Sequence, residues 1–158
     1  MRIGFGYDSH RFVPGRRLVL AGQVIPFEKG LAGHSDADAV AHALTDAILG
    51  AAGAGNIGLL FPDNDPRWKD ADSMALLRSA YGVVTGRGFC LAQADITVII
   101  ERPKLAPHLH PMSQALAAVF DLSEQEISVK AKTNEGMGFI GRGEGIAVMA
   151  VALLERLR

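Results

Sequence analysis

Apolar and polar positions alternate over residues 2–12 (Arg-Ile-Gly-Phe-Gly-Tyr-Asp-Ser-His-Arg-Phe), which predicts an opening strand. Residues 17–22 and 23–27 read as a short hairpin turning around Gly22. The Gly-rich stretch from Glu28 to Ser35 reads as a loop. The period then changes: Ala, Leu and Ile recur at helical spacing to about Ala52, with Ser35 or Asp36 as the expected N-cap. Gly53 to Lys69 is rich in Gly, Pro and Asp and predicts an extended loop. Asp72 or Ser73 caps a second predicted helix running to about Val84. Phe89 to Glu101 is long and β-branched, the clearest strand in the chain. A third helix is expected from Pro107 or His108 to near Phe120, then a strand over Ile127 to Thr133. Asn134 to Gly145 contains five glycines and reads as a loop. Gly145 to Leu157 fits a strand or a helix, because its Ala and Leu content blurs the period.

This order predicts an α+β fold in two layers, with helices on one sheet face. No repeat, low-complexity tract or linker interrupts it, and 158 residues suit one domain spanning residues 1–158. Net charge is −1 and no Lys/Arg stripe forms, so nucleic acid is not an expected partner. Cys90 is the sole cysteine and cannot form an internal disulfide, which predicts a reducing, cytoplasmic setting. No signal peptide is expected at the N-terminus. The longest apolar run, Ile146 to Leu154, falls far short of the roughly 20 residues of a membrane span, so no membrane partner is expected.

The residues with most chemical promise are Asp8, His10 and His42. Side chains two apart on a strand share a face, roughly 6–7 Å apart along it. A histidine from a facing helix would complete a carboxylate and two imidazoles. Three protein ligands with one open position describe a catalytic zinc site rather than a structural one. Asp38 and Asp46 lie one turn on either side of His42. Ligating histidines donate their second N–H to acceptors such as these, so the pair is expected to orient His42 or, alternatively, to be solvated or capping. His34 and Ser35 precede the predicted helix, where backbone N–H groups favour anions, and they suit a phosphate. The segment from Lys130 to Glu144 offers Thr133 as a phosphate donor, Glu135 for a hard cation such as Mg²⁺ and Arg142 as a diphosphate clamp. The competing reading is a Gly-rich turn with solvated charges.

Gly136-x-Gly138-x-x-Gly141 and Gly53-x-Gly55-x-x-Gly58 fit the dinucleotide fingerprint, but neither has the βαβ context that motif needs. No Gly-Lys pair occurs, which excludes a Walker loop. Trp68 is expected to pack its loop, and His108 and His110 to lie at the surface or cap a helix.

Four strings carry a specific resemblance: Gly6-Tyr-Asp-Ser-His-Arg-Phe12, Gly33-His-Ser-Asp-Ala-Asp-x-x-x-His-Ala-x-x-Asp-Ala47, Asn56-Ile-Gly-x-x-Phe-Pro-Asp-x-Asp-Pro66 and Lys130-Ala-Lys-Thr-Asn-Glu-Gly-x-Gly-Phe-x-Gly-Arg-Gly-Glu-Gly145. In this order the chain closely resembles the 2-C-methyl-D-erythritol 2,4-cyclodiphosphate synthase family of the non-mevalonate isoprenoid pathway, over essentially residues 2–157. The resemblance implies a phosphorus–oxygen lyase that converts 4-diphosphocytidyl-2-C-methyl-D-erythritol 2-phosphate to the cyclic 2,4-diphosphate and CMP. It implies a chorismate-mutase-like or ferredoxin-like mixed sheet with helices on one face, trimerising around a sheet-lined threefold axis. The last segment is then a strand, and each active site lies between neighbouring subunits of a homotrimer.

The resemblance further implies one Zn²⁺ per subunit on Asp8, His10 and His42, its open position taking a β-phosphate oxygen. Glu135 would hold Mg²⁺ or Mn²⁺ between the α- and β-phosphates. His34 and Thr133 match transition-state stabilisers. Asp8, His10 and His34 match substrate contacts, and Ser35, Asn56, Ile57, Gly58, Phe61, Pro62, Asp63, Asn64 and Asp65 match the methylerythritol phosphate pocket. Ile100, Glu101, Arg102, Pro103, Lys104, Leu105, Ala106, Lys132, Thr133, Asn134 and Glu135 match the cytidine side, and Phe139 and Arg142 match further substrate contacts. The chain departs from the family pattern at Asn56, where Asp is frequent, at Lys132 and Asn134, where Thr is common, and at Met149. Some relatives carry there a Glu that faces the threefold axis and pairs with the residue matching Arg142. The rival readings are a zinc phosphohydrolase using activated water and a non-catalytic trimeric binding protein.

Overall fold

A computed structural model describes residues 1–157. The opening alternation forms β1 (Arg2–Pro14) and the hairpin forms β2 (Leu18–Leu20) and β3 (Gln23–Ile25). Ala21 and Gly22 turn the hairpin with positive φ. The expected loop after it contains a further strand, β4 (Lys29–Leu31), paired antiparallel with the end of β1. A Cβ on Gly30 would lie 2.4 Å from the Arg17 carbonyl, so the glycine that suggests a loop instead permits tight packing of a strand.

The first helix, α1 (Ala39–Ala52), starts later than expected. Its cap is Asp38, not Ser35 or Asp36. The Asp38 carboxylate accepts from the N–H of Ala41 (3.1 Å), and also from Ala21 (2.9 Å) and Gly22 (2.7 Å) of the hairpin turn. One buried side chain therefore fastens the hairpin to the helix. Burial pushes its pKa up to about 6, against the pull of those three N–H groups and with a further push from the Asp36 charge.

The expected loop between the first two long helices holds a short α2 (Ile57–Leu60) and a 3-10 turn over Pro66–Trp68. Asn56 and Asp65 cap them through side-chain oxygens, local bonds that Gly and Pro content conceals. Then come α3 (Ser73–Gly86), β5 (Phe89–Ile99), α4 (Leu109–Phe120), β6 (Ile127–Lys132), a short α5 (Gly138–Gly141) and β7 (Gly145–Arg156). α5 lies inside the expected glycine-rich loop.

The main sheet has the order β4-β1-β7-β5-β6, and only β5 and β6 run parallel. The ambiguous last segment is thus a strand, paired on both sides. Its Ile146, Val148, Ala150, Ala152 and Leu154 are fully buried beneath the helices, whereas Met149 and Val151 on the other face are exposed. The period-2 pattern is legible only once the sheet assigns the two faces.

α1 lies directly on β1 and β7. The cause is on β1: a Cβ on Gly4 would lie 1.9 Å from the Ala47 carbonyl, and one on Gly6 1.8 Å from the Ala43 carbonyl. Two glycines on the inner face let the helix backbone sit where side chains would otherwise stand. The same face continues at Asp8 and His10. On α1 only His42, Asp46 and Gly50, at four-residue steps, escape full burial.

Candidate metal centre

His42 precedes Ala43 on α1, so the close approach at Gly6 delivers its ring to the Asp8–His10 face of β1. Asp8 Oδ2 lies 2.8 Å from His10 Nε2 and 3.1 Å from His42 Nδ1, and the two ring nitrogens are 3.3 Å apart. These three donors form one compact group. Two donors each about 2.0 Å from a tetrahedral zinc lie roughly 3.3 Å apart, so the spacing fits one small divalent cation.

His10 Nδ1 lies 2.6 Å from the Ala32 carbonyl, which can only accept, so Nδ1 carries a hydrogen and neutral His10 leaves Nε2 bare. His42 Nε2 lies 2.8 Å from Ser73 Oγ, and that hydroxyl donates to Asp36. Ser73 therefore accepts from His42, and Nδ1 of neutral His42 is bare. A carboxylate oxygen and two imidazole lone pairs converge on one point, which only a cation or shared protons can relieve. Burial pushes the Asp8 carboxyl up, but its bonds to His10 and His42 outweigh that and hold it below its ordinary value. Burial likewise pushes His10 down, and the bond and charge of Asp8 carry it above the usual histidine value.

The carboxylates expected to orient His42 do not touch it. Asp38 caps α1, and Asp46 accepts from Ile57 N–H (2.7 Å), fixing the start of α2. The acceptor behind His42 is Ser73, which sequence reasoning had only as a helix cap. A serine beside a capping Asp carries no local sign of service to a histidine 31 residues away.

The triad borders a cleft of about 520 Å³ lined by His10, His34, Ser35, His42, Ile57, Gly58, Phe61, Pro62, Asp63 and Asn64, all expected site residues, with Gly33, Trp68 and Leu76 added. His34 Nε2 donates to the Asp65 carbonyl (3.0 Å), across the cleft mouth. Arg16 donates to the carbonyls of Gly33 and Ser35 and so pins that rim. Phe61 and Trp68 pack edge to face, as expected of a loop-packing Trp. Two expected contacts point elsewhere: the Asn56 side chain caps α2, and the Asp65 carboxylate is held by Arg67. At the start of α1, Asp38 takes the N–H of Ala41, and the turn before it uses Ser35 and Asp36 to take those of Ala37 and Asp38.

Ile100, Pro103, Lys104, Leu105, Ala106, Lys132 and Thr133 line a separate hollow of about 200 Å³. Glu101 joins its two halves, accepting from the N–H of Asn134 (2.8 Å) and Gly136 (3.3 Å). Arg102 stands exposed at its edge. Glu135 is exposed at φ +51°, its N–H on Thr133 Oγ1. Neither Thr133 nor Glu135 reaches the large cleft of its own chain. Phe139 shares a small hollow with His10, and Arg142 is paired with Glu144 rather than aimed at either cleft. Met149 lies on the open sheet face.

The YgbB family model matches residues 1–155. The chain is 57% identical over 154 residues to 2-C-methyl-D-erythritol 2,4-cyclodiphosphate synthase of Moorella thermoacetica, covering 98% of this chain and 94% of the relative. A solved 2C-methyl-D-erythritol-2,4-cyclodiphosphate synthase in a CDP-bound form superposes with a TM-score of 0.89 at 45% identity, covering 98% of this chain and all of that one. The bifunctional IspDF of Campylobacter jejuni superposes with a TM-score of 0.95 at 48% identity, over 99% of this chain but 42% of the longer one. Matched by the family model over residues 1–155, and sharing its fold and more than half of its residues with these relatives over nearly its whole length, this chain belongs to the YgbB family.

Proposed function

We propose that this chain is a 2-C-methyl-D-erythritol 2,4-cyclodiphosphate synthase, converting 4-diphosphocytidyl-2-C-methyl-D-erythritol 2-phosphate to the cyclic diphosphate and CMP. The observation that carries this reading is the convergence of three bare donors at the edge of the 520 Å³ cleft, in a chain whose relatives bear that name. The reaction is internal phosphoryl transfer. A 2-phosphate oxygen forms a bond to the β-phosphorus, the bond from β-phosphorus to the bridging oxygen breaks, and CMP leaves with that oxygen and its electron pair. No water enters the balance, so the protein's task is to position the groups and to exclude solvent.

Asp8, His10 and His42 would hold Zn²⁺, which supplies Lewis acidity toward a phosphate oxygen when bound. Glu135 would hold Mg²⁺ or Mn²⁺ on the substrate diphosphate. His34 and Ser35 orient the methylerythritol phosphate end, and His34 and Thr133 meet the charge that develops in transfer. The hollow between residues 100–106 and 132–135 takes the cytidine.

Those two sites are separate within one chain, and a homotrimer would unite them. Its support is the open sheet face, where Ile3, Phe5, Tyr7, Met149 and Val151 stand 39–75% exposed in facing register. Such a patch marks an interface. In this reading residues 1–158 act as one domain in the cytoplasm. Among the described residues, no helix is long and apolar enough to cross a membrane.

Incubation with the cytidylyl substrate tests the reading. Equimolar CMP and cyclic diphosphate are expected. Release of free phosphate would instead mean a hydrolase, and intact substrate after binding would mean a non-catalytic protein.

A further inference from the structure

We infer that Ser73 and Asp36 form a positioning relay that fixes His42 as an Nδ1 ligand, so that α3 helps to set the affinity of the cation site. This rests on the metal-centre reading above and extends it to residues that do not touch the cation.

The direction of each hydrogen bond follows from counting protons. Asp36 accepts from the N–H of Asp38 (3.1 Å) and of Ser73 (3.1 Å), and from the Ser73 hydroxyl. The serine has one hydrogen and gives it to the carboxylate. Its oxygen is then an acceptor, and His42 Nε2 at 2.8 Å is the donor. Ser35 Oγ accepts from Ala37 N–H and lies 3.2 Å from both Ser73 Oγ and His42 Nε2, so with its hydrogen turned to Ser73 it is a second, longer acceptor beside the ring. The neutral ring thus keeps its hydrogen on Nε2 and turns its lone pair at Nδ1 toward Asp8 and His10. The opposite tautomer would place the Nε2 lone pair 2.8 Å from an oxygen whose only hydrogen is already committed, leave it the longer Ser35 hydroxyl as its donor, and put an N–H where the cation belongs.

Burial makes this choice costly to reverse. Ser73 is 1% exposed and Ser35 7%, so water does not replace a lost partner cheaply. The relay also has a rigid base. The loop before α1 is tied to the loop before α3 by Asp36 N–H on the Ala71 carbonyl (3.1 Å) and Asp70 N–H on the His34 carbonyl (2.8 Å). An acceptor behind a ligating histidine fixes both its tautomer and its orientation, and its loss costs roughly 10- to 100-fold in metal affinity.

The test uses full-length protein stripped by chelator and titrated with Zn²⁺ in competition with a chromophoric chelator, and with Co²⁺ read by its visible absorption. Ser73→Ala keeps the backbone N–H on Asp36 but strips His42 and Asp36 of the hydroxyl, so the chelated variant is expected to fold and to melt below the parent. Its zinc dissociation constant is expected to rise by about 10- to 100-fold, with a shifted Co²⁺ band. Ser73→Thr restores the hydroxyl and is expected to return affinity and band toward the parent. An Ala variant that binds zinc as tightly as the parent, with an unchanged Co²⁺ band, overturns the relay. So does a Thr variant that folds yet binds as weakly as Ala. A parent that binds neither ion overturns the metal centre itself, a result distinct from both.

Discussion

Which nitrogen of a histidine is bare decides what the ring can hold, and here two backbone or side-chain acceptors decide it from outside the triad. Ala32 settles His10 and Ser73 settles His42. His42→Ala removes one of the three proposed ligands and is expected to abolish zinc binding and nearly all turnover while the protein stays folded. Full zinc occupancy by metal analysis in that variant would refute the assignment. Glu135→Gln is expected mainly to weaken Mg²⁺-dependent turnover, and superimposable Mg²⁺ titrations of variant and parent would end that role. The Asp8–His10 contact also predicts a pH dependence in chelator-treated protein. His10 is raised, so its share of stability is complete below 6.5 and is lost as pH rises through its folded value. Asp8 is lowered, so its share is complete above 3.8 and is lost as pH falls through its folded value. Asp8→Asn should therefore lower the melting temperature more at mildly acidic pH than at pH near 9. An equal loss at both would show that the two groups do not share charge in the fold.

At the scale of elements, the site depends on how closely a helix can approach a strand. Gly4 and Gly6 allow α1 to rest its carbonyls on β1, and His42 rides on the helix so placed. Gly6→Ala would put a methyl group 1.8 Å from the Ala43 carbonyl. The helix must shift, at a cost of about 1–3 kcal/mol or more, and zinc affinity should fall with it. A variant with parental melting temperature and parental affinity would show that α1 is not seated by these glycines. The same elements show how far sequence reading reaches. The strands and long helices were visible as periods of 2 and 3.6. β4, α2 and α5 were not, because each is only three or four residues long and built around Gly or capped by a neighbouring side chain. The start of α1 was misplaced because Ser35, Asp36 and Asp38 are all good caps, and only the hairpin turn at Ala21–Gly22 selects Asp38.

For the whole molecule, the exposed face of the sheet is the feature a lone chain leaves unexplained. Phe5 faces Val151, and Tyr7 faces Met149, across the β1–β7 ladder. If subunits join there, Val151→Arg buries an unpaired charge in the interface. It is expected to yield monomers by sedimentation and to lose turnover, because the cytidine hollow and the metal cleft would no longer meet. It should also leave zinc binding intact, since Asp8, His10 and His42 lie on one chain. An unchanged sedimentation coefficient would place the interface elsewhere. Arg142 belongs to the same scale. Its guanidinium pairs with Glu144 two residues on, not with the Met149 face of the sheet.

The sequence by itself determined the type and order of the main elements, the family motifs and the three side chains of the candidate metal centre, because periodicity and residue chemistry are local properties of the chain. Tertiary structure alone decided the cap of α1, the strand identity of the last segment, the acceptor behind His42 and the separation of the two clefts. The physical reason is that a polar atom's partner is whichever group the packing brings within about 3 Å. In the case of Ser73 and His42, that group lies 31 residues away, on a different helix.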